Sequence, residues 1–253
     1  CGQVFDQGVG IAPCLEALRP AWEDAKAECA QFNAQNDTVK RGVGIAGAWY
    51  GCGNTSLPNP STILAGVRAD GTVVLHQGAM DIGQGSNTVI PQIFAKALGL
   101  SVEGIEILGG DTDITPDAGK TSASRQTFVS GNAALKTGEA LRAEILRQVN
   151  AGPTAQITAQ GGRVTVTDAG HVQQLDLSRL PADDDGYVLR AEESYDPPVK
   201  PLDENGQGVP YAQFGYAAHL VVVEVDIALG LCRPLRFVAA HDVGRAINPL
   251  LVE

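Results

Sequence analysis

Residues 77–99 read QGAMDIGQGSNTVIPQIFAKALG. A glycine-rich segment, Gly78 to Gly85, runs directly into apolar positions at Val89, Ile90, Ile93, Phe94, Ala97 and Leu98. That spacing predicts one face of a helix. Gly99 suits its C-terminal stop, and Ser86 or Thr88 is placed to cap its start. Upstream, Thr62–Arg68 and Thr72–His76 flank Asp70-Gly71, which predicts a β-hairpin. The unit is therefore strand, glycine-rich loop, helix. A helix N-terminus carries unpaired N–H groups and a positive dipole end, and glycine backbone lets an anion approach it.

The same order recurs. Val102–Ile107 reads as a strand, Gly109–Ser124 as a long polar loop and Thr127–Val149 as a helix. The loop ends in Thr121-Ser122-Ala123-Ser124, adding hydroxyls to the backbone donors. Gly131 and Gly138 weaken the helix by up to ~1 kcal/mol each if exposed, which tight packing or a nearby ligand would offset. Two such ends converging would cradle a phosphate, a pterin ring or an oxo-metal group. Each alone also reads as an ordinary helix start.

Further out, Leu15, Leu18, Trp22, Ala25, Cys29 and Phe32 form one helical stripe over residues 14–32. Gly42–Tyr50, small and apolar, reads as a buried strand, and Cys52–Pro60 as a turn-rich loop. Ile157–Ala159 and Val164–Val166 form a hairpin about Gly161-Gly162. Residues 168–186 show no clear period, and 195–212 read as an exposed loop. Ala218–Asp226 and Leu235–Ala240 are strands joined near Gly230, followed by a loop over Asp242–Pro249. The fold class is α+β (mixed α/β). Residues 1–253 form one partial domain, with a possible subdomain boundary near 150–155.

Composition narrows the function. The chain has 253 residues, 44% of them hydrophobic, and a net charge of -11. The hydrophobic content supplies a core, while the acidity disfavours nucleic acid. No run approaches about 18 apolar residues, so no membrane span is expected. The 5 cysteines are scattered without a CxxC pair, which points to free thiols in a reducing, cytoplasmic setting. No basic-then-apolar signal segment opens the chain.

Common site motifs are missing. Gly78–Gly85 lacks GxGxxG order. Gly119-Lys120-Thr121 lacks the upstream glycine of a P-loop, because Ile114 stands there. His76, His171, His219 and His241 form no HExxH, and no Cys/His pair has zinc spacing. Asp111, Asp113 and Asp117 alternate like a calcium loop, but Ile114 to Pro116 and a missing glutamate break the pattern. There is no GxSxG elbow, and Cys52 has no base beside it in sequence. An ATPase is set aside on the Walker spacing.

Four strings resemble a known family: GVGIAGAWYGCG (42–53), QGAMDIGQGSNTVIPQIFAKALG (77–99), GDTDITPDAGKTSASRQTFVSGNAA (110–134) and HDVGRAINPLLVE (241–253). In order and interval they look like the molybdenum-binding subunit of the xanthine dehydrogenase/aldehyde oxidase group, the molybdenum hydroxylases. The resemblance covers about residues 40–253.

It implies an incomplete molybdopterin-binding domain, the C-terminal part of its subunit and bacterial in type. The implied cofactor is a molybdenum-pyranopterin, as molybdopterin cytosine dinucleotide, with no metal ligand from protein side chains. The implied reaction hydroxylates an electron-poor carbon of a purine, N-heterocycle or aldehyde with oxygen from water. [2Fe-2S] clusters and FAD are implied on other domains or subunits. The implied partners are those elements, the remainder of the molybdenum subunit and a small-molecule substrate.

By the same resemblance, Gln84 hydrogen-bonds an oxygen on molybdenum, and Gly83 and Gly85 let the backbone come close. Thr121, Ser122, Ala123 and Ser124 hold the pterin and its phosphate end, and Arg125 continues that segment. Asp242 to Asn248 approach from another side. The family base is a glutamate beyond an Asn-Pro…Glu-Gly-Gln run. Glu253 matches the first Glu of that run, so it is not assigned as the base. The isolated chain is therefore expected to be inactive. The alternative is a non-catalytic structural or interaction module retaining the family fold.

Overall fold

A computed structural model of the protein describes residues 1–54 and 58–252. In chain order the elements are α1 (Ile11–Ala17), α2 (Arg19–Gln35), β1 (Val39–Gly51), β2 (Ser61–Arg68), β3 (Val73–Gln77), α3 (Ser86–Leu98), β4 (Ile105–Gly109) and α4 (Gln126–Gln148). They continue with β5 (Gln156–Gln160), β6 (Arg163–Asp168), β7 (His171–Asp176), β8 (Tyr187–Tyr195), β9 (Phe214–Asp226), β10 (Leu231–Asp242) and α5 (Pro249–Val252). The mixed α/β content agrees with the sequence. The chain divides into two compact units: Cys1–Cys52 with Glu204–Ala246, and Gly53–Asp203 with Ile247–Glu253.

The first unit is an antiparallel sheet in the order β1-β9-β10. Helices α1 and α2 cover one face, where Cys14, Leu18, Ala25 and Cys29 meet Ala218, Leu220 and Val222. The predicted helix over 14–32 is broken at Leu18, which caps α2, with proline in the first helical positions. Pro20 has no N–H to donate and its ring crowds the preceding turn, so the helix restarts there. A second correction concerns β1. Its small residues suggested a buried strand, but Trp49 is 67% and Tyr50 59% exposed, and most of the strand lies open.

The second unit carries the two loop–helix elements. Its main sheet has the order β4-β3-β2-β8. β2 and β3 form the predicted hairpin, while β3 and β4 are parallel. Parallel neighbours need a crossover, and α3 supplies it. Ile63, Ala65, Val67, Val73 and Leu75 pack with Ile90, Phe94, Leu98, Leu141 and Ile145 from α3 and α4. β8 pairs with the other edge of β2, in a stretch the sequence pattern left partly unassigned. Residues 102–104 form a 3-10 turn, so the strand predicted from Val102 starts at Ile105.

The glycines of α4 have a packing reason. A Cβ on Gly138 would lie 2.7 Å from Ala97 Cβ and 2.8 Å from the Phe94 carbonyl oxygen. The helices are that close because no side chain stands between them. After α4, β5, β6 and β7 form an antiparallel meander. Its third strand, β7, lies where the sequence had no clear period. Residues 150–155 are the link from α4 to this meander, inside the second unit.

Candidate functional site

Both glycine-rich loops lie in the second unit, and a hydrogen bond joins them. The Thr121 hydroxyl donates to the Met80 carbonyl at 2.9 Å. The two helix starts are built differently.

At α3 the N-cap is Gly85, with φ 83°, and no side chain at the cap position bonds the helix. Neither Ser86 nor Thr88 serves as cap, contrary to expectation. The Asp81 carboxylate does the work from further back. It accepts the N–H groups of Gly83 at 2.8 Å, Asn87 at 3.0 Å and Gly85 at 3.3 Å. Those backbone donors, Asn87 first, hold the Asp81 pKa below the usual carboxylate range. The positive end of α3 is thus already satisfied by the chain's own anion. Sequence reading overlooked Asp81. The available signal was Asp followed two residues later by Gly, the pattern of an Asx turn.

Gln84 is exposed, but its amide is engaged within the loop. Oε1 accepts the Ile82 N–H at 2.6 Å, and Nε2 donates to the Met80 carbonyl at 3.0 Å and to Ser86 Oγ at 3.2 Å. The donor on one side and the carbonyl on the other set the amide's orientation. Gly83 has φ 107°, and a Cβ there would meet nothing within 4 Å. Its requirement for glycine is therefore conformational.

The start of α4 has no such cap. Its N-cap position is Arg125, without a side-chain cap bond, so the first N–H groups of the helix have no intrahelical acceptor. Just before it, Ala123 and Ser124 adopt φ 52° and 50°. Left-handed backbone at two successive non-glycine residues costs about 1–3 kcal/mol each. The Gly53 N–H holds the turn through the Ala123 carbonyl at 2.9 Å, and Ser122 Oγ bonds Asn54 Oδ1 at 3.3 Å. Among the described residues, the N–H groups of Ala123 and Ser124 have no acceptor. Ser122 and Ser124 are exposed. Free amides, exposed hydroxyls and an uncapped helix end together have the donor chemistry that could cradle an anion.

Arg125 is buried, with 1% exposure, and faces inward. Gln126, also buried, donates to the Lys120 carbonyl at 3.2 Å and to Thr121 Oγ1 at 3.1 Å, and its Oε1 accepts from Ser130. The C-terminal turn α5 lies near the other loop. Leu251 Cδ1 would sit 3.3 Å from a Cβ on Gly85, and Asn248 Nδ2 donates to Gln92 Oε1 at 3.4 Å. Asp242 through Ala246 belong to the first unit. Glu253 lies outside the described residues.

Among the described residues no group of three or more His, Cys, Asp and Glu side chains is arranged to hold a metal ion. His76 is a buried structural residue. Its Nδ1 donates to the Ile114 carbonyl at 2.8 Å, leaving Nε2 to accept the Tyr187 hydroxyl at 2.6 Å. All five cysteines are free, and burial raises the Cys52 thiol pKa. Among the described residues, no helix is long and apolar enough to cross a membrane.

Comparison with known proteins places these loops in context. Residues 16–253 match the model of the molybdopterin cofactor-binding domain. The chain is 30% identical over 260 residues to the xanthine dehydrogenase molybdenum-binding subunit of Escherichia coli O157:H7, covering 96% of this chain and 32% of that protein. It is 30% identical over 256 residues to the 6-hydroxypseudooxynicotine dehydrogenase complex subunit gamma of Paenarthrobacter nicotinovorans, covering 97% and 30%. Among solved structures, the aldehyde oxidoreductase of Desulfovibrio desulfuricans superposes with a TM-score of 0.76 at 26% identity, over 97% of this chain and 24% of that one. The chain thus spans about a third or less of the length of these relatives.

Proposed function

The chain belongs to the molybdopterin cofactor-binding domain family, and from that premise we propose that its second unit grips the two ends of a molybdenum-pyranopterin with two differently built loops. The carrying observation is the contrast between the helix starts. Asp81 fills the end of α3, whereas the end of α4 and the Ala123 and Ser124 amides are open. An anionic phosphate end fits the Thr121–Ser124 cradle, and the 78–85 loop is left to the less charged end. The donor set fits the group. Hard oxygen and N–H donors suit phosphate and pterin, and a metal held by its own pterin sulfurs needs no cluster of protein ligands.

When bound, the cofactor supplies the redox and oxygen-transfer chemistry that hydroxylates an electron-poor carbon. This chain's residues supply placement. Thr121 ties the cradle to the Gln84 loop through the Met80 carbonyl, and the positive φ of Gly83 turns the backbone just before Gln84. Gln84 would help hold the metal end of the cofactor, because the Nε2 contact to Ser86 Oγ is the longest of the three that hold its amide and the one most readily given up to a bound acceptor. The carboxamide donates an N–H that it does not give up, so Gln84 would orient a bound acceptor and transfer no charge.

The substrate class we propose is a purine, N-heterocycle or aldehyde, oxidised by a longer assembly. That assembly contributes the base, the rest of the molybdenum subunit, and [2Fe-2S] and FAD carriers. The cofactor form we propose is the cytosine dinucleotide, and the setting a reducing, cytoplasmic one. Oxidative release of the pterin from the intact protein, with mass spectrometry of the product, tests the reading. A pterin carrying cytidine supports it. A pterin without a nucleotide corrects the cofactor form alone, and no pterin in folded protein contradicts it.

A further inference from the structure

Arg125 ranks among the largest fully buried side chains of the chain. Its Nη1 donates to the carbonyls of Ala118 at 2.6 Å and Lys120 at 3.1 Å. Its Nη2 donates to the carbonyls of Pro60 at 2.9 Å and Asn59. The guanidinium therefore spans two backbone segments, one entering β2 and one entering the cradle. Gly119 leaves the room it needs, since a Cβ there would lie 2.8 Å from Nη1. Every acceptor is a neutral carbonyl. Among the described residues Arg125 forms no ion pair, and its Nε–H is buried without an acceptor. Burial pulls its pKa down and the more distant Asp117 and Asp196 pull it up, but a guanidinium stays charged.

A buried cation without a contacting carboxylate is costly unless an opposite charge arrives nearby. The open cradle stands directly before it in sequence. We infer that Arg125 is a positioning residue for the cofactor, anchoring the Thr121–Ser124 turn from beneath and placing an unpaired positive charge behind its amides without touching the ligand. This rests on the cofactor reading above and alters it in one respect: Arg125 acts through the turn and not as a contact.

The test uses the intact molybdenum enzyme, loaded in its source. Arg125→Gln removes the charge, and Arg125→Lys keeps the charge but loses the four-carbonyl fork. Gly138→Ala is the control, since it strains α4 about 20 Å along the helix from Arg125. Release of molybdenum and organic phosphate is followed at increasing salt, beside thermal stability.

Both Arg125 variants should release cofactor faster than wild type, Arg125→Gln by about tenfold, the scale of a lost charge-assisted contact. Arg125→Gln should release it faster than Arg125→Lys at every salt concentration and at matched thermal stability, because only lysine keeps the charge, a ranking that general destabilisation does not produce. Gly138→Ala should retain cofactor like wild type despite lower stability. Equal retention in wild type and the Arg125 variants overturns the inference, as does release from Gly138→Ala matching theirs. If Arg125→Gln does not fold, Arg125→Lys carries the retention comparison. An unloaded wild type defeats the cofactor reading itself, whereas loaded wild type with unaffected variants defeats only the role of Arg125.

Discussion

The Asp81 carboxylate accepts the backbone N–H of Asn87 at 3.0 Å, so α3 starts beneath an anion from its own preceding loop. The same group holds the Gly83 and Gly85 amides, and these bonds depress its pKa. A carboxylate whose folded pKa is lowered adds stability that is complete above its unfolded pKa and is lost as pH falls through the folded one. The melting-temperature gap between wild type and Asp81→Asn should therefore be constant at neutral and mildly acid pH. It should close below the ordinary aspartate range. A gap that persists unchanged in strong acid contradicts a role for the Asp81 charge.

Gly138 and Gly131 should respond differently to alanine. At Gly138 the obstacles are Ala97 Cβ and backbone atoms of α3, none of which yields locally. Gly138→Ala should cost about 1–3 kcal/mol in denaturant unfolding, as overpacked sites do. At Gly131 the nearest atom is the end of the Ile93 side chain, at 2.9 Å. That group turns aside, and alanine gains up to about 1 kcal/mol of helix propensity. The expected net change is near zero.

Gln84→Ala separates two uses of the amide. If Nε2 donates to an oxygen on the metal, turnover per bound molybdenum should fall about tenfold, the worth of one hydrogen bond made in the transition state. If the amide only braces the loop against Met80, Ile82 and Ser86, cofactor content should fall while turnover per molybdenum stays the same. Steady-state rates normalised to molybdenum distinguish the two.

Tyr187→Phe should destabilise the second unit by about 1–3 kcal/mol, because it leaves the buried His76 Nε2 without its hydroxyl donor. Chemical denaturation measures it. The Gly66 position explains the fit, since a Cβ there would fall 2.3 Å from the Tyr187 ring.

Local order explains what could be read in advance. The Asp70-Gly71 turn, the helical faces of α3 and α4 and the Gly99 stop depend on neighbours a few residues apart, and all appear in the sequence. Exposure of β1 was not legible. A run of glycine and alanine packs equally well inside a core or on an open sheet, and only the tertiary arrangement decides. The cradle's residue types were visible in the loop, but its asymmetry was not. That asymmetry depends on Asp81 reaching Asn87 and on Arg125 reaching back to Asn59, and periodicity carries neither contact.

As proposed above, this chain holds a molybdenum-pyranopterin. The most direct measurement is elemental mass spectrometry of the intact protein, purified natively from its source, giving molybdenum and phosphorus per polypeptide. Close to one molybdenum per chain is expected, with phosphorus in fixed proportion. A folded, intact protein without molybdenum or pterin phosphate would contradict it.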